Sequence, residues 1–237
     1  MIDVPGVAAF RFGIRGGVAA AGYPGAGRDL IREVCHRAIL PLVLQYRGRE
    51  VLHASAVFTP RGVVGLCGTS GTGKSTIAYA LGLRGYRVWA DDALVFRVAS
   101  GRVESLPLVF DLRLGPASAR HFGLRPGAGV TGAGHSGNGR SRARPLAALC
   151  VLRRARAPGR PATELVPLEP ARAFTGLLPH AYCLDLDDLG RKSKMICRYL
   201  ALAACVPVFE IRFSGGLAGL GAVIEAVERA AVGRVHA

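Results

Sequence analysis

The 237-residue sequence predicts an α/β fold in which a mixed sheet is flanked by helices. Three stretches carry that expectation. Residues 61–67 (RGVVGLC) form a short apolar run that enters a glycine-rich turn, GTSGTGKST, at Gly68–Thr76. Residues 75–83 (STIAYALGL) leave the turn as a helix, so a buried strand, a loop and a helix follow in direct succession. On either side lie further strand-like runs, VLHASAV at 51–57 and GYRVWADDALVF at 85–96.

From the N-terminus, residues 1–28 are rich in glycine, with alternating Ala8, Phe10, Phe12 and Ile14; they predict one or two short strands and a turn at 22–27. Residues 29–46 predict a helix, with Asp29 as a candidate cap and Pro41 kinking or dividing it. Residues 1–47 are thus expected to form an appendage on a main unit of 48–237. After the turn at 68–76, paired strands are expected at 102–108 and 109–114, and a short helix at 117–122. Residues 127–144 (GAGVTGAGHSGNGRSRAR) carry glycine every second or third position and no apolar period, which predicts a mobile loop ending in Arg140, Arg142 and Arg144. A strand at 146–152 leads into further arginines, read as a hairpin connection. Helices follow at 168–178 and 189–205, with Asp185, Asp187 and Asp188 between them as candidate caps, then a strand at 206–213 and a closing helix at 217–231. Arg191, Lys194 and Arg198 share one face of the 189–205 helix, read as a solvated face.

Gly68–Thr76 fits G-x-x-x-x-G-K-[ST], and its residue types explain what it can hold. Gly68, Gly71 and Gly73 can take backbone angles that turn successive N–H groups inward, and Ser70, Thr72 and Thr76 complete an anion-holding nest. The helix that starts here points its positive dipole end at the same place. Lys74 brings a point charge to β- and γ-phosphates, and Ser75 a hydroxyl to Mg²⁺. ATP and Mg²⁺ are therefore the expected cofactors. Asp91 and Asp92 form a second constellation. Strand residues alternate sides, so both acids reach the loop only if the strand ends there. Phosphoryl transfer needs one carboxylate near the metal and one group to take a proton from the attacking hydroxyl.

The net charge is +15, and arginine supplies nearly all of it. An anionic partner and a compositional preference for arginine are both consistent with that balance. No apolar run approaches a membrane span, and the first residues lack a secretory pattern, so a cytoplasmic location is expected. The six cysteines have no C-x-x-C spacing and read as small buried hydrophobes.

A histidine ahead of the glycine-rich turn (His53), the turn itself, then Arg84-Gly85-Tyr86-Arg87 and Ala90-Asp91-Asp92 resembles the HPr kinase/phosphorylase family over residues 48–98. Residues 206–212 and the helix after them look like the end of short members of that family. The resemblance implies a P-loop kinase-type sheet, Asp91 as general base, Asp92 as the Mg²⁺-side carboxylate, and His53 beside the catalytic aspartate. It also implies a serine acceptor in a peptide or protein, such as a lasso-type precursor peptide. The family's Pro-Gly-Arg-Asn loop is absent here. Two other readings stay open: a kinase of a small-molecule or RNA hydroxyl, with nucleic acid not favoured, and an ATP-dependent switch without turnover. Homo-oligomerisation is left open.

Overall fold

A computed structural model describes residues 1–125, 129–133, 142–155, 162–183 and 187–233. Its centre is a curled mixed sheet. The strands that position the site are β4 (Glu50–Leu52), β5 (Ala54–Thr59), β6 (Gly62–Cys67), β7 (Arg87–Ala90), β8 (Leu94–Ala99), β9 (Arg102–Leu106), β12 (Arg144–Arg154), β13 (Thr163–Leu168) and β14 (Val208–Phe213). Among the described residues they run in the order β4-β8-β9-β12-β6-β5-β7, with β14 also on β12 and β13 on β14. β6, β12 and β14 are parallel, while β5 is antiparallel to both β6 and β7. The ends of β6, β7, β12 and β14 therefore meet at one edge, where ligands gather in such sheets. Three strands separate β7 from β9, yet the Trp89 indole N–H on β7 donates to Ser105 Oγ on β9 at 2.8 Å. That buried bond measures the curl. A side-chain carbon on Gly65 would come within 2.6 Å of both Leu94 and Leu149, so the close approach inside the curl requires glycine.

Helices cover both faces because strands buried on both sides need apolar partners on each. α3 (Lys74–Leu83), α4 (Pro116–His121) and α7 (Leu220–Val232) pack one face, with Ile77, Leu81, Val223 and Val227 against Leu66, Leu152 and Phe209. α5 (Pro170–Leu177) and α6 (Leu189–Cys205) pack the other, with Leu177, Tyr199 and Leu202 against Leu52, Leu94 and Leu149. A three-stranded sheet of β1 (Ile2–Val4), β2 (Ala8–Phe12) and β3 (Val18–Gly22) precedes α1 (Arg28–Val34) and α2 (Leu40–Tyr46), and these share a small core around Phe10, Ile39 and Val43. The expected division of this helix lies at a π-helical turn, Cys35–Ile39, just before Pro41. Gly27, not Asp29, occupies the N-cap.

Several expectations change. Residues 51–57 are two strands broken at His53. β10 (Val109–Arg113) pairs with β11 (Gly129–Ala133) rather than with β9, so the stretch expected to be loop holds a strand. β12 and β13 do not form a hairpin, because β14 lies between them. Cys67 and Cys150 are buried, but Cys197 and Cys205 are exposed. Asp188 caps α6 as expected, accepting from Arg191 N–H at 2.9 Å; Asp185 and Arg140 lie outside the described residues. Among the described residues, no helix is long and apolar enough to cross a membrane.

Arg191 and Arg198 do not form a solvated face. Both reach Glu50, which is 1% exposed, at 2.9 and 2.8 Å. Gln45 of α2 meets Glu50 too and donates to the Tyr182 carbonyl, so α2, β4 and α6 close around one buried carboxylate. Removing one partner of a buried ion cluster strands the other charges. Glu50→Ala is therefore expected to cost about 3–5 kcal/mol of stability, read as a lowered urea midpoint at unchanged slope.

Candidate active site

The loop between β6 and α3 is built as its residue types require. Gly71 and Gly73 have φ of 78° and 107°, the left-handed region, with open space where a side chain would start. Gly68 is different: a carbon added there would press on Leu152 and Thr72 at 3.3 Å. Thr72 Oγ1 donates to the Thr69 carbonyl at 2.6 Å and stiffens the turn, and Thr76 Oγ1 is 2.8 Å from Ser118 Oγ on α4. Lys74 is 6% exposed, and its ammonium donates to the carbonyls of Gly68 at 2.9 Å and Thr69 at 3.3 Å. Burial lowers its pKa, with the Asp92 and Asp91 carboxylates opposing.

β7 ends at Ala90, and the chain turns through Asp91 and Asp92 before β8. The Ala93 N–H donates to the Asp91 carbonyl at 2.8 Å across that tight turn. Asp92 sits at φ 62°, a conformation that aspartate tolerates better than most residues. Ending the strand here frees both acids from strict alternation. Asp91, 6% exposed, accepts from Ser55 Oγ at 2.5 Å and from Ser75 Oγ at 2.9 Å. Burial raises its pKa to about 6; the Asp92 charge adds to the rise, and the two serine hydroxyls oppose it. Asp92 pairs with Arg37 Nη2 at 2.7 Å.

A cavity of about 350 Å³ collects most of these groups: Ser70, Gly71, Gly73, Lys74, Ser75 and Thr76 from the loop, Asp92, His53, and two arginines, Arg37 and Arg113. Asp91 opens instead on a small neighbouring cavity of about 30 Å³, which shares Arg37, Asp92 and Arg113 with the first. His53 stands at the break between β4 and β5, where its N–H donates to the His180 carbonyl at 2.7 Å and its ring lies 6.3 Å from that of Tyr182. Its pKa is lowered by burial and by Lys74, so the neutral ring faces the cavity. Buried His180, whose pKa falls to about 4 through burial and Lys74, backs it.

Three side chains of the site escaped the sequence reading. Ser55 follows His53 by two positions, and strand alternation was a signal for it. Arg37 and Arg113 come from remote elements, and no local pattern marks them. Arg144, by contrast, stacks on Phe58 at 5.3 Å, at the opposite end of β5 from the glycine-rich loop, so it does not serve the site. Among the described residues, no cluster of three or more His, Cys, Asp or Glu forms a metal cage. The donors in the large cavity, a hydroxyl and a carboxylate beside an anion nest, suit a hard cation that keeps most of its waters.

No family model and no curated protein matches the chain. A solved structure, the Hpr(Ser) kinase/phosphatase from Coxiella burnetii, matches with a TM-score of 0.38 and 12% identity, over 76% of this chain and 88% of that chain. That is a distant likeness of fold.

Proposed function

We propose that the protein is an ATP-dependent phosphotransferase that moves the γ-phosphate to a hydroxyl group. The supporting observation is the 2.9 Å hydrogen bond from Ser75 to Asp91, which joins the glycine-rich loop to the acids one strand along. In this reading the nest at Gly68–Thr76 holds the triphosphate, and Lys74 leaves its loop carbonyls for the β- and γ-phosphates. Ser75 and Asp92, which share the large cavity, would hold Mg²⁺. The ion's contribution would be to neutralise charge on the β- and γ-oxygens. Asp91 takes the proton of the incoming hydroxyl; the hydroxyl oxygen bonds to the γ-phosphorus as the bridge to the β-phosphate breaks, and ADP leaves. A carboxylate whose pKa is raised to about 6 is suited to that proton transfer near neutral pH. His53 orients the acids as a neutral neighbour. The acceptor we favour is a serine of a peptide or protein, such as a ribosomally made lasso-type precursor, in a protein that acts in the cytoplasm.

The test is a transfer assay with γ-labelled ATP and Mg²⁺ over serine peptides, free hydroxy amino acids, small alcohols and RNA ends. Label on a serine peptide is the expected result. ATP bound tightly, with no label moved to any acceptor, would favour a switch instead.

Arg37 enters this site from the segment before α2 and holds Asp92. A cation at Asp92 would release its guanidinium toward the transferred phosphate. Arg37→Gln is expected to lower kcat about 100-fold with a smaller change in the KM for ATP. Equal loss in both would reduce Arg37 to a binding contact.

A further inference from the structure

A second cavity, of about 250 Å³, continues the phosphate cavity on the far side of Thr76. The two share Gly71, Gly73, Thr76 and Ser118, so they form one groove. Their linings differ sharply. The phosphate side carries Lys74, Ser75 and Asp92; the far side is floored by Ile77, Phe213, Leu217, Leu220 and Val223. Among the described residues its one charged wall is Arg154, whose guanidinium lies 5.8 Å from the centre of the Phe213 ring. Arg154 makes no ion pair among the described residues. Its position follows from the sheet: it ends β12 directly beside Phe213, the end of the parallel strand β14.

We infer that this cavity is the nucleoside subsite, taking the flat base of a nucleoside triphosphate against the apolar floor under Arg154. The inference rests on reading Gly68–Thr76 as the triphosphate cradle. With the γ-phosphate at the Asp92 end, the phosphate chain runs back past Thr76 and delivers the sugar and base into the second cavity. A guanidinium is planar and weakly hydrated and stacks on aromatic faces, which an ammonium does not do well. Gly216 lines the cavity at φ 56° with open space where a side chain would begin, leaving room for a ring. Among the described residues, no Asn, Gln, Asp or Glu lines the cavity, and its hydroxyls are engaged within the protein, Thr72 with the Thr69 carbonyl and Thr76 with Ser118. Recognition by stacking tolerates any base with a large π-face, and adenine and guanine should be accepted almost equally.

The experiment is calorimetric binding of Mg²⁺–ATP, Mg²⁺–GTP and Mg²⁺–tripolyphosphate to the full chain, to Arg154→Ala and to Ala117→Trp. Ala117 lines the cavity but is exposed on α4, so the indole fills the cavity without disturbing the core. We expect ATP to bind at least about 10-fold tighter than tripolyphosphate, and GTP within about 5-fold of ATP. Both variants should bring ATP down toward tripolyphosphate while tripolyphosphate affinity and melting temperature stay unchanged. Equal affinity of ATP and tripolyphosphate for the wild type, ATP binding indifferent to both substitutions, or a matching loss of tripolyphosphate in both variants overturns the subsite and leaves the cradle standing. A preference between ATP and GTP above about 100-fold overturns recognition by stacking. If neither ATP nor tripolyphosphate binds, the cradle itself fails and the subsite goes with it.

Discussion

Asp91→Asn should abolish phosphoryl transfer and at the same time make the ligand-free protein more stable above pH 6. The first effect follows from losing the proposed proton acceptor, at least about 10³-fold in kcat. The second follows from the raised pKa. The fold holds Asp91 at about 6 against an ordinary 3.8, so it favours the protonated acid. The stability tied to that preference is full below about pH 4 and is lost as pH rises through 6. Above that, burying the charge costs on the order of 3 kcal/mol. Asparagine keeps the shape, offers an oxygen to Ser55 and Ser75, and carries no charge. In metal-free buffer at pH 7.5 its melting temperature should exceed the wild type's by roughly 5–10 °C, with the gap closing toward pH 4. A variant that is inactive but less stable at pH 7.5 would mean that Asp91 organises the loop through its serines rather than serving as the base.

Lys74→Met should weaken Mg²⁺–ATP binding by about 100-fold and remove turnover. Methionine matches much of the buried lysine stem, so little packing is lost. What disappears is the charged donor, which rests on the Gly68 and Thr69 carbonyls and is the ammonium of the phosphate cavity. Because Lys74 lines the large cavity, water from that cavity can replace the ammonium at those carbonyls, and the fold should persist with an unchanged circular dichroism spectrum. Calorimetry and the transfer assay read the two effects separately. Binding retained within about 3-fold would place the triphosphate elsewhere.

The loop and its acids were legible because their signals are local. A glycine pattern between an apolar run and a helix fixes the nest, and adjacent aspartates at a strand end need no long-range knowledge. The length of α6 was readable from helical spacing and its aspartate cap. What the sequence concealed is pairing between distant segments. Arg37 reaches Asp92 across more than fifty positions, and Arg154 meets Phe213 only because β12 and β14 lie parallel. The same cause misled the reading of Arg191 and Arg198: a charged helix face is ordinarily solvated, and nothing nearby announces that Glu50 is buried beneath it. Residues 129–133 lack an apolar period yet pair with β10, since backbone hydrogen bonds to a waiting edge outweigh weak propensity. Arg144 stands at the end of the expected mobile loop, but its strand register puts it at the far end of the sheet from the glycine-rich loop.

The central claim is that the glycine-rich loop and the paired acids act on one metal-bound triphosphate. It is tested most directly by the Mg²⁺ dependence of ATP affinity in the wild type, Ser75→Ala and Asp92→Asn. Mg²⁺ should tighten ATP binding at least about 10-fold in the wild type and have little effect in either variant. An ATP affinity that ignores Mg²⁺, and that neither substitution alters, would contradict it.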